Sequence, residues 1–181
     1  MALSREDSEL FFNLMMTLLT FVNRKKHVVR PYDEEIRPMT DPSISIEVAH
    51  CLWSDDTLID AFLEENPQLP EEHQEILRSW KRHRQGKFIL ERHLKKGSVF
   101  ISLDDSQVYL VNGITRNFED IYFGARLPLM VTMTLLPFRD IIITDGYFAT
   151  AFGLSFGAGM KRMLKDSYMT AKKSGNIITS L

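Results

Sequence analysis

The sequence has 181 residues, of which 44% are hydrophobic and 25% charged, so it is long enough to bury a core without disulfides or metal ions. It contains one cysteine, Cys51, which excludes an intramolecular disulfide and favours a reducing compartment. The net charge is −2, but residues 1–66 hold 6 basic and 13 acidic side chains and residues 67–181 hold 16 and 11. This asymmetry predicts an anionic partner for the second half or docking between the halves.

The longest apolar run lies near the start of the sequence, at residues 10–22. It is too short to span a membrane, and it follows acidic residues rather than the positive charge of a signal peptide. We therefore expect a cytoplasmic protein with no membrane contact. A narrow polar stripe through the run is typical of a helix that is buried on most of its circumference. We interpret it as a core helix, and the alternative is a helix that also contacts a protein partner or forms a homodimer.

Helical patterns continue through the first half of the chain. Residues 30–42, with three prolines, are predicted to form an irregular connection. Capping residues and apolar spacing predict further helices at residues 44–53, at residues 55–65 after Ser54, and from Pro70 onwards.

The second half has the short apolar runs of β-strands. Strands are predicted at residues 88–94, 99–103, 108–111 and 129–136, with one helical turn at 118–123. Asp145-Gly146 lies between two short apolar runs and predicts a tight hairpin turn. A final helix at about 160–173 and a last short strand at 177–178 complete the pattern.

This order of elements indicates an α+β fold: N-terminal helices, then a mainly antiparallel sheet or small curled barrel, and a C-terminal helix. We expect a single domain over residues 1–181, with a helical part at 1–85 and a β-rich part at 86–181.

A series of short motifs marks the β-rich part: Leu135-Leu136-Pro137-Phe138, Ile141-Ile142, Asp145-Gly146, a glycine-rich turn, a basic helix, and Gly175-x-Ile177-Ile178-Thr179-x-Leu181. Over about residues 86–181 this series resembles a group of uncharacterised bacterial proteins. The resemblance implies a bacterial source and no particular activity.

A basic stretch is the first candidate site. Its proposed nucleic-acid-binding residues are Arg78, Lys81, Arg82, Arg84, Lys87, Lys95 and Lys96. On a continuing helix, Arg78, Lys81 and Arg82 would share one face, and several charges on one surface suit phosphates. The alternative is a solvated face that docks on the acidic first half.

A glycine-rich stretch is the second candidate site. Free amides at a helix start, together with basic side chains in its first turn, suit an anion. The proposed anion-binding residues are Gly157, Gly159, Lys161 and Arg162. The spacing is not that of a phosphate-binding loop. The alternative is a tight turn at which the helix packs closely on the sheet.

Catalytic and metal-binding patterns are weaker. The histidines have no metal-ligand spacing, and Cys51 beside Leu52 and Trp53 is typical of a buried small side chain. Gly153-x-Ser155-x-Gly157 has the spacing of a hydrolase elbow, but no histidine follows it as the triad order requires. We therefore predict no catalytic residue, metal or cofactor.

The sequence favours a non-enzymatic binding or regulatory domain that acts through protein–protein contacts. Two alternatives stay open: a nucleic-acid-binding accessory protein that uses residues 78–96, and an enzyme with an unfamiliar site near residues 153–162.

Overall fold

The computed structural model describes residues 1–31 and 42–181, and its elements are those of an α+β protein. The chain divides into two compact units. We call Glu6–Lys81 the helical unit, and Met1–Arg5 with Arg82–Leu181 the barrel unit. The boundary lies four residues before the predicted change at 85/86. Most of the connection predicted for residues 30–42 falls outside the described residues.

Four α-helices and a short 3-10 turn account for the described part of the helical unit. They are α1 (Arg5–Lys26), α2 (Pro42–Ser54), α3 (Thr57–Glu65), α4 (Glu71–Ser79) and the turn Trp80–Arg82. All the predicted helices are present, but Ser54 does not cap α3. Its hydroxyl donates instead to the carbonyl of Cys51, and Asp56 is the N-cap residue.

Helix α1 buries most of its apolar side chains, which confirms the interpretation as a core helix. Within the helical unit, the ring of Phe11 meets Trp80 edge-on at 5.7 Å between centroids, and Phe21 meets Phe62 at 5.4 Å. No helix in the described ranges is long and apolar enough to cross a membrane.

The barrel unit is built on a closed five-stranded sheet. Its elements are β1 (Arg84–Leu94), β2 (Gly97–Ser102), β3 (Val108–Val111), α5 (Phe118–Ile121), β4 (Leu129–Phe138), β5 (Ile141–Ala151) and α6 (Ala158–Ser174). The strands close in the order β1-β2-β3-β5-β4, and all pairs are antiparallel except β3 with β5, which meet at Val111 and Ile142. The predicted small curled barrel is therefore present. A five-stranded barrel is also the architecture of the OB-fold.

The strands of the barrel are apolar on both faces where α6 covers them. Inside, Phe88, Phe100 and Val131 belong to a filled core, to which α5 contributes Phe118. The outward side chains of β1, β2 and β3 form a second cluster with Leu164 of α6. Because side chains alternate along a strand, Phe100 of β2 lies in the inner cluster and Val99 and Ile101 lie in the outer one. All six residues of β2 are buried.

The predicted last strand is a single bridge. Ile178 lies parallel to Tyr109, and its amide donates to the carbonyl of Val108 at 2.8 Å. The segment that follows α6 therefore pairs alongside β3 at this one position.

The hairpin predicted at Asp145-Gly146 is wrong. Both flanking segments belong to β5 and pair with β4, so the register shifts between Met133 and Leu135 and the pair forms a bulge. Asp145 is buried, and its Oδ1 accepts the Tyr147 amide at 3.0 Å. The hairpin turn lies instead between Phe138 and Ile141, which face each other at the end of β4 and the start of β5.

Gly146 should be needed for the bulge. Its φ of +89° lies in the left-handed region, where a side chain costs about 1–2 kcal/mol. We expect Gly146→Ala to lower the free energy of unfolding by that amount in urea denaturation followed by circular dichroism. Gly153→Ala is the matched control, because a Cβ there meets nothing within 4 Å. Equal losses in the two variants would contradict this role for Gly146.

Candidate functional site

Two residues of the basic stretch are engaged within the helical unit. Arg78 pairs with Glu71 at 3.1 Å and donates to Gln74 at 2.6 Å. Lys81 Nζ lies 2.6 Å from Asp60 Oδ2, and this hydrogen bond raises the pKa of the Lys81 ammonium. The helix face predicted for Arg78, Lys81 and Arg82 is also wrong, because α4 ends at Ser79.

The other five residues of the stretch lie in the barrel unit but not on one surface. Arg82 donates to the backbone oxygen of Leu181 at 3.1 Å. Arg84 and Lys87 are exposed on β1, where positions 84 and 87 alternate to opposite faces of the strand. Lys95 and Lys96 form the exposed two-residue turn between β1 and β2. The structure therefore separates the stretch into several small groups.

The glycine-rich stretch does lead into a helix, as predicted. Gly157 is the N-cap residue of α6 and Gly159 lies in its first turn, with Lys161 and Arg162 exposed just beyond. A Cβ at Gly157 or Gly159 would meet nothing within 4 Å. The alternative of a tight turn packed closely on the sheet is therefore wrong at these two glycines.

A groove runs along α6 and has a volume of about 1030 Å³. Its other wall is formed by residues 174–178 and by the β2–β3 turn at residues 106–108. Gly159 and Arg162 line it, whereas Gly157 and Lys161 do not. Its charged lining consists of Arg162 and Asp166, and no cluster of three metal-ligating side chains occurs in the described part of the chain. The groove thus offers polar contacts but no group of acids and bases.

Large exposed apolar side chains occur at the end of α5 and just after β5. Phe123, after α5, is 91% exposed, and Phe152, after β5, is 69% exposed. Ile121 and Leu154 are also exposed large apolar residues. We call Ile121, Phe123, Phe152 and Leu154 the aromatic patch.

Tyr122 joins the two parts of the patch. It follows Ile121 and precedes Phe123 in the chain, and its ring contacts that of Phe152 at 6.3 Å between centroids. The Tyr122 ring is itself buried, stacked on Phe118 at 6.3 Å, and its hydroxyl is 2.6 Å from that of Thr150. Burial raises the pKa of the Tyr122 phenol. Phe152 therefore contacts a ring that is held in place by Phe118 and Thr150.

The start of α6 follows the patch closely in the chain. Only residues 155–157 separate Leu154 from Ala158, so these two residues lie within about 14 Å of each other. Phe156, between them, packs against the cluster that includes Leu164 of α6. Met160 and Met163 are exposed there, between basic side chains.

Comparisons with known proteins do not identify a related protein. No protein-family model, no curated protein and no solved structure matches the chain. The resemblance of residues 86–181 to a bacterial group stays a prediction.

The aromatic patch was not predicted from the sequence. Apolar residues are normally assigned to the core, and Phe123 falls within a predicted helical turn. No local pattern identifies the exposed rings. Phe123 and Phe152 each precede a glycine, but so does Phe156, which packs against the α6 cluster.

Substitutions at the neighbouring residues Tyr122 and Phe123 should have very different effects on the free energy of unfolding. Tyr122→Ala removes a buried ring, so we expect it to lower the free energy of unfolding by about 3–5 kcal/mol. Phe123→Ser removes an exposed ring and should change it by less than about 0.5 kcal/mol. Urea denaturation of both variants measures the difference. A large loss in Phe123→Ser would mean that this ring supports the fold.

Proposed function

We propose that the chain is a non-enzymatic binding domain that holds a protein partner through the aromatic patch. The observation that carries this proposal is that Phe123 is 91% and Phe152 69% exposed, in two segments linked by the contact between Tyr122 and Phe152. Grouped apolar side chains on a surface are favourable only when a partner removes them from water. Aromatic residues are also enriched at the centres of protein interfaces. We place this activity in the cytoplasm, in keeping with the single cysteine.

The burial of α1 supports the aromatic patch as the contact surface. Seven of the ten large apolar side chains of α1 are buried, among them Phe11, Leu18 and Val22, and the other three are partly buried. The helix therefore retains little apolar area for a second copy or for another protein. The aromatic patch has this area.

The composition of the α6 groove supports binding over catalysis. General acid–base chemistry needs titratable groups within hydrogen-bond reach of one reacting atom. The charged lining of the groove is one guanidinium, Arg162, and one carboxylate, Asp166. An enzymatic site near residues 153–162 would therefore need groups that the groove does not bring together.

Photo-crosslinking tests the protein-partner proposal. A benzophenone amino acid at position 123 or 152 should give a discrete covalent product in cells of the source organism. Adding Leu154→Asp should remove the product, because a carboxylate in the patch would be desolvated by the partner. The identified partner, once purified, should give the same product with the purified chain.

Leu103 provides the matched control position. It is an exposed apolar residue of the barrel unit, after β2, and it is followed by Asp104 and Asp105. The same photo-reactive residue at position 103 should give no discrete product. Equal labelling from positions 103, 123 and 152 would contradict a partner-binding role for the patch.

Nucleic-acid binding is a second candidate, favoured by the charge of the barrel unit. That unit holds 15 basic and 8 acidic side chains, a net charge of +7. In OB-folds the β1–β2 loop borders the ligand face, and here this loop is Lys95-Lys96. The burial of β2 beneath α6 argues against the usual β2–β3 face as the binding surface.

A salt series decides this second candidate. Labelled single-stranded and duplex oligonucleotides should bind in fluorescence anisotropy with an affinity that falls as salt rises. Lys95→Glu with Lys96→Glu should weaken binding by about tenfold or more, since it reverses two phosphate-binding charges. Lys172→Glu with Lys173→Glu makes the same change in net charge on α6 and should have little effect. Absence of binding at low salt would end the candidate.

A further inference from the structure

The first two turns of α6 carry basic side chains that are not engaged by the protein. Lys161, Arg162 and Lys165 are exposed, and none of them makes a side-chain hydrogen bond or ion pair within the described residues. Lys87, Lys95 and Lys96 are also exposed without such a pair among the described residues, whereas some basic residues of the barrel unit are engaged. Arg92 pairs with Glu91 and lies 4.1 Å above the ring of Tyr168, and Arg116 donates to the carbonyl of Asp120.

Apolar side chains alternate with these cations. Met160 and Met163 are exposed at helical spacing of three, and Lys161 and Arg162 lie between them. Methionine side chains adapt to irregular partners, which suits a binding surface. The start of α6 therefore combines apolar contact area with unused positive charge.

This basic helix start lies close to the Phe152–Leu154 part of the aromatic patch. Three residues separate Leu154 from Ala158, the first residue of α6, so the chain holds these two residues within about 14 Å of each other. A partner seated on Phe152 and Leu154 would thus meet the cations of α6 at its border.

We propose that the partner segment is acidic and amphipathic, with apolar side chains on the aromatic patch and carboxylates on Lys161, Arg162 and Lys165. This inference rests on the proposed function, since it names the chemistry of the partner for that surface. Charge complementarity at the border of an apolar contact selects the partner and speeds its association. Carboxylates on the partner would give these three cations the counterions that the chain does not provide.

The mixture of side chains favours a protein over a nucleic acid at this surface. Single-stranded nucleic acids stack on aromatic faces, whereas Leu154, Met160 and Met163 are aliphatic or thioether groups. Such side chains gain most by burial against other apolar side chains. An amphipathic peptide supplies these together with its carboxylates.

Peptide display provides the test. A random-peptide library is panned on the full chain, with counter-selection on the Phe123→Ser/Phe152→Ser double variant to remove peptides that bind elsewhere. We expect enriched peptides that combine apolar residues with several Asp or Glu. Their dissociation constants, measured by fluorescence anisotropy, should rise about tenfold in Lys161→Glu/Arg162→Glu/Lys165→Glu and should rise with salt.

A charge-matched variant separates local pairing from overall charge. Lys87→Glu/Lys172→Glu/Lys173→Glu changes the net charge by the same amount at exposed positions away from the start of α6. It should alter the dissociation constants by less than about threefold, because screening weakens distant charges. Equal losses in the two triple variants would overturn the assignment to Lys161, Arg162 and Lys165.

The outcomes distinguish this inference from the proposed function. Patch-dependent peptides without acidic residues would overturn the acidic partner and leave a protein-binding patch. Failure to enrich any patch-dependent peptide would overturn both. Binding of oligonucleotides or of vesicles containing anionic lipid that is lost in Phe123→Ser/Phe152→Ser would overturn the protein partner and assign the surface to that ligand.

Discussion

The packing of α6 on the outer face of β1, β2 and β3 constrains the rest of the barrel unit. Leu164 and Tyr168 contact outward residues such as Val99 and Val108, so these strands must be apolar on both faces. Full burial of one aliphatic side chain contributes about 1.5–3 kcal/mol, and Val99 and Ile101 of β2 are buried beneath α6 in this way. Neither β2 nor β3 contains a charged residue.

This packing also decides which surfaces remain for a ligand. In OB-folds the face of strands 2 and 3 is the usual ligand surface, and here the chain's own helix occupies it. The interior is filled as well, with Phe100 and Phe118 in edge contact at 5.0 Å between ring centroids. Fold alone does not determine function, and in this barrel the free contact area lies at Phe123 and Phe152.

Periodicity was sufficient to predict the helices and most strands, because burial on one face imposes a regular apolar spacing. Prediction from periodicity failed where one local backbone conformation fits two different structures. Asp145-Gly146 suits both a hairpin turn and a bulge, since each needs a residue with positive φ, and only pairing with β4 decides between them. The exposure of Phe123 could not be predicted either, because no local sequence pattern shows which apolar residues lack tertiary contacts. Lys161 and Arg162 of the predicted anion site belong to the proposed surface as well, and their binding of an anion stays a prediction.

A basic side chain is available to bind a partner only if it is not already paired with an acid within the protein. The stretch from residue 78 to 96 is the densest in basic residues, yet Arg78 and Lys81 are held by acids of the helical unit. The start of α6 has fewer cations, but they have no such partners and stand beside apolar side chains. Tyr122 is held by Phe118 and Thr150, so Phe152 has an ordered ring to pack against. For the proposed protein partner, this order would lower the entropic cost of association, and the unpaired cations at the start of α6 would add selectivity.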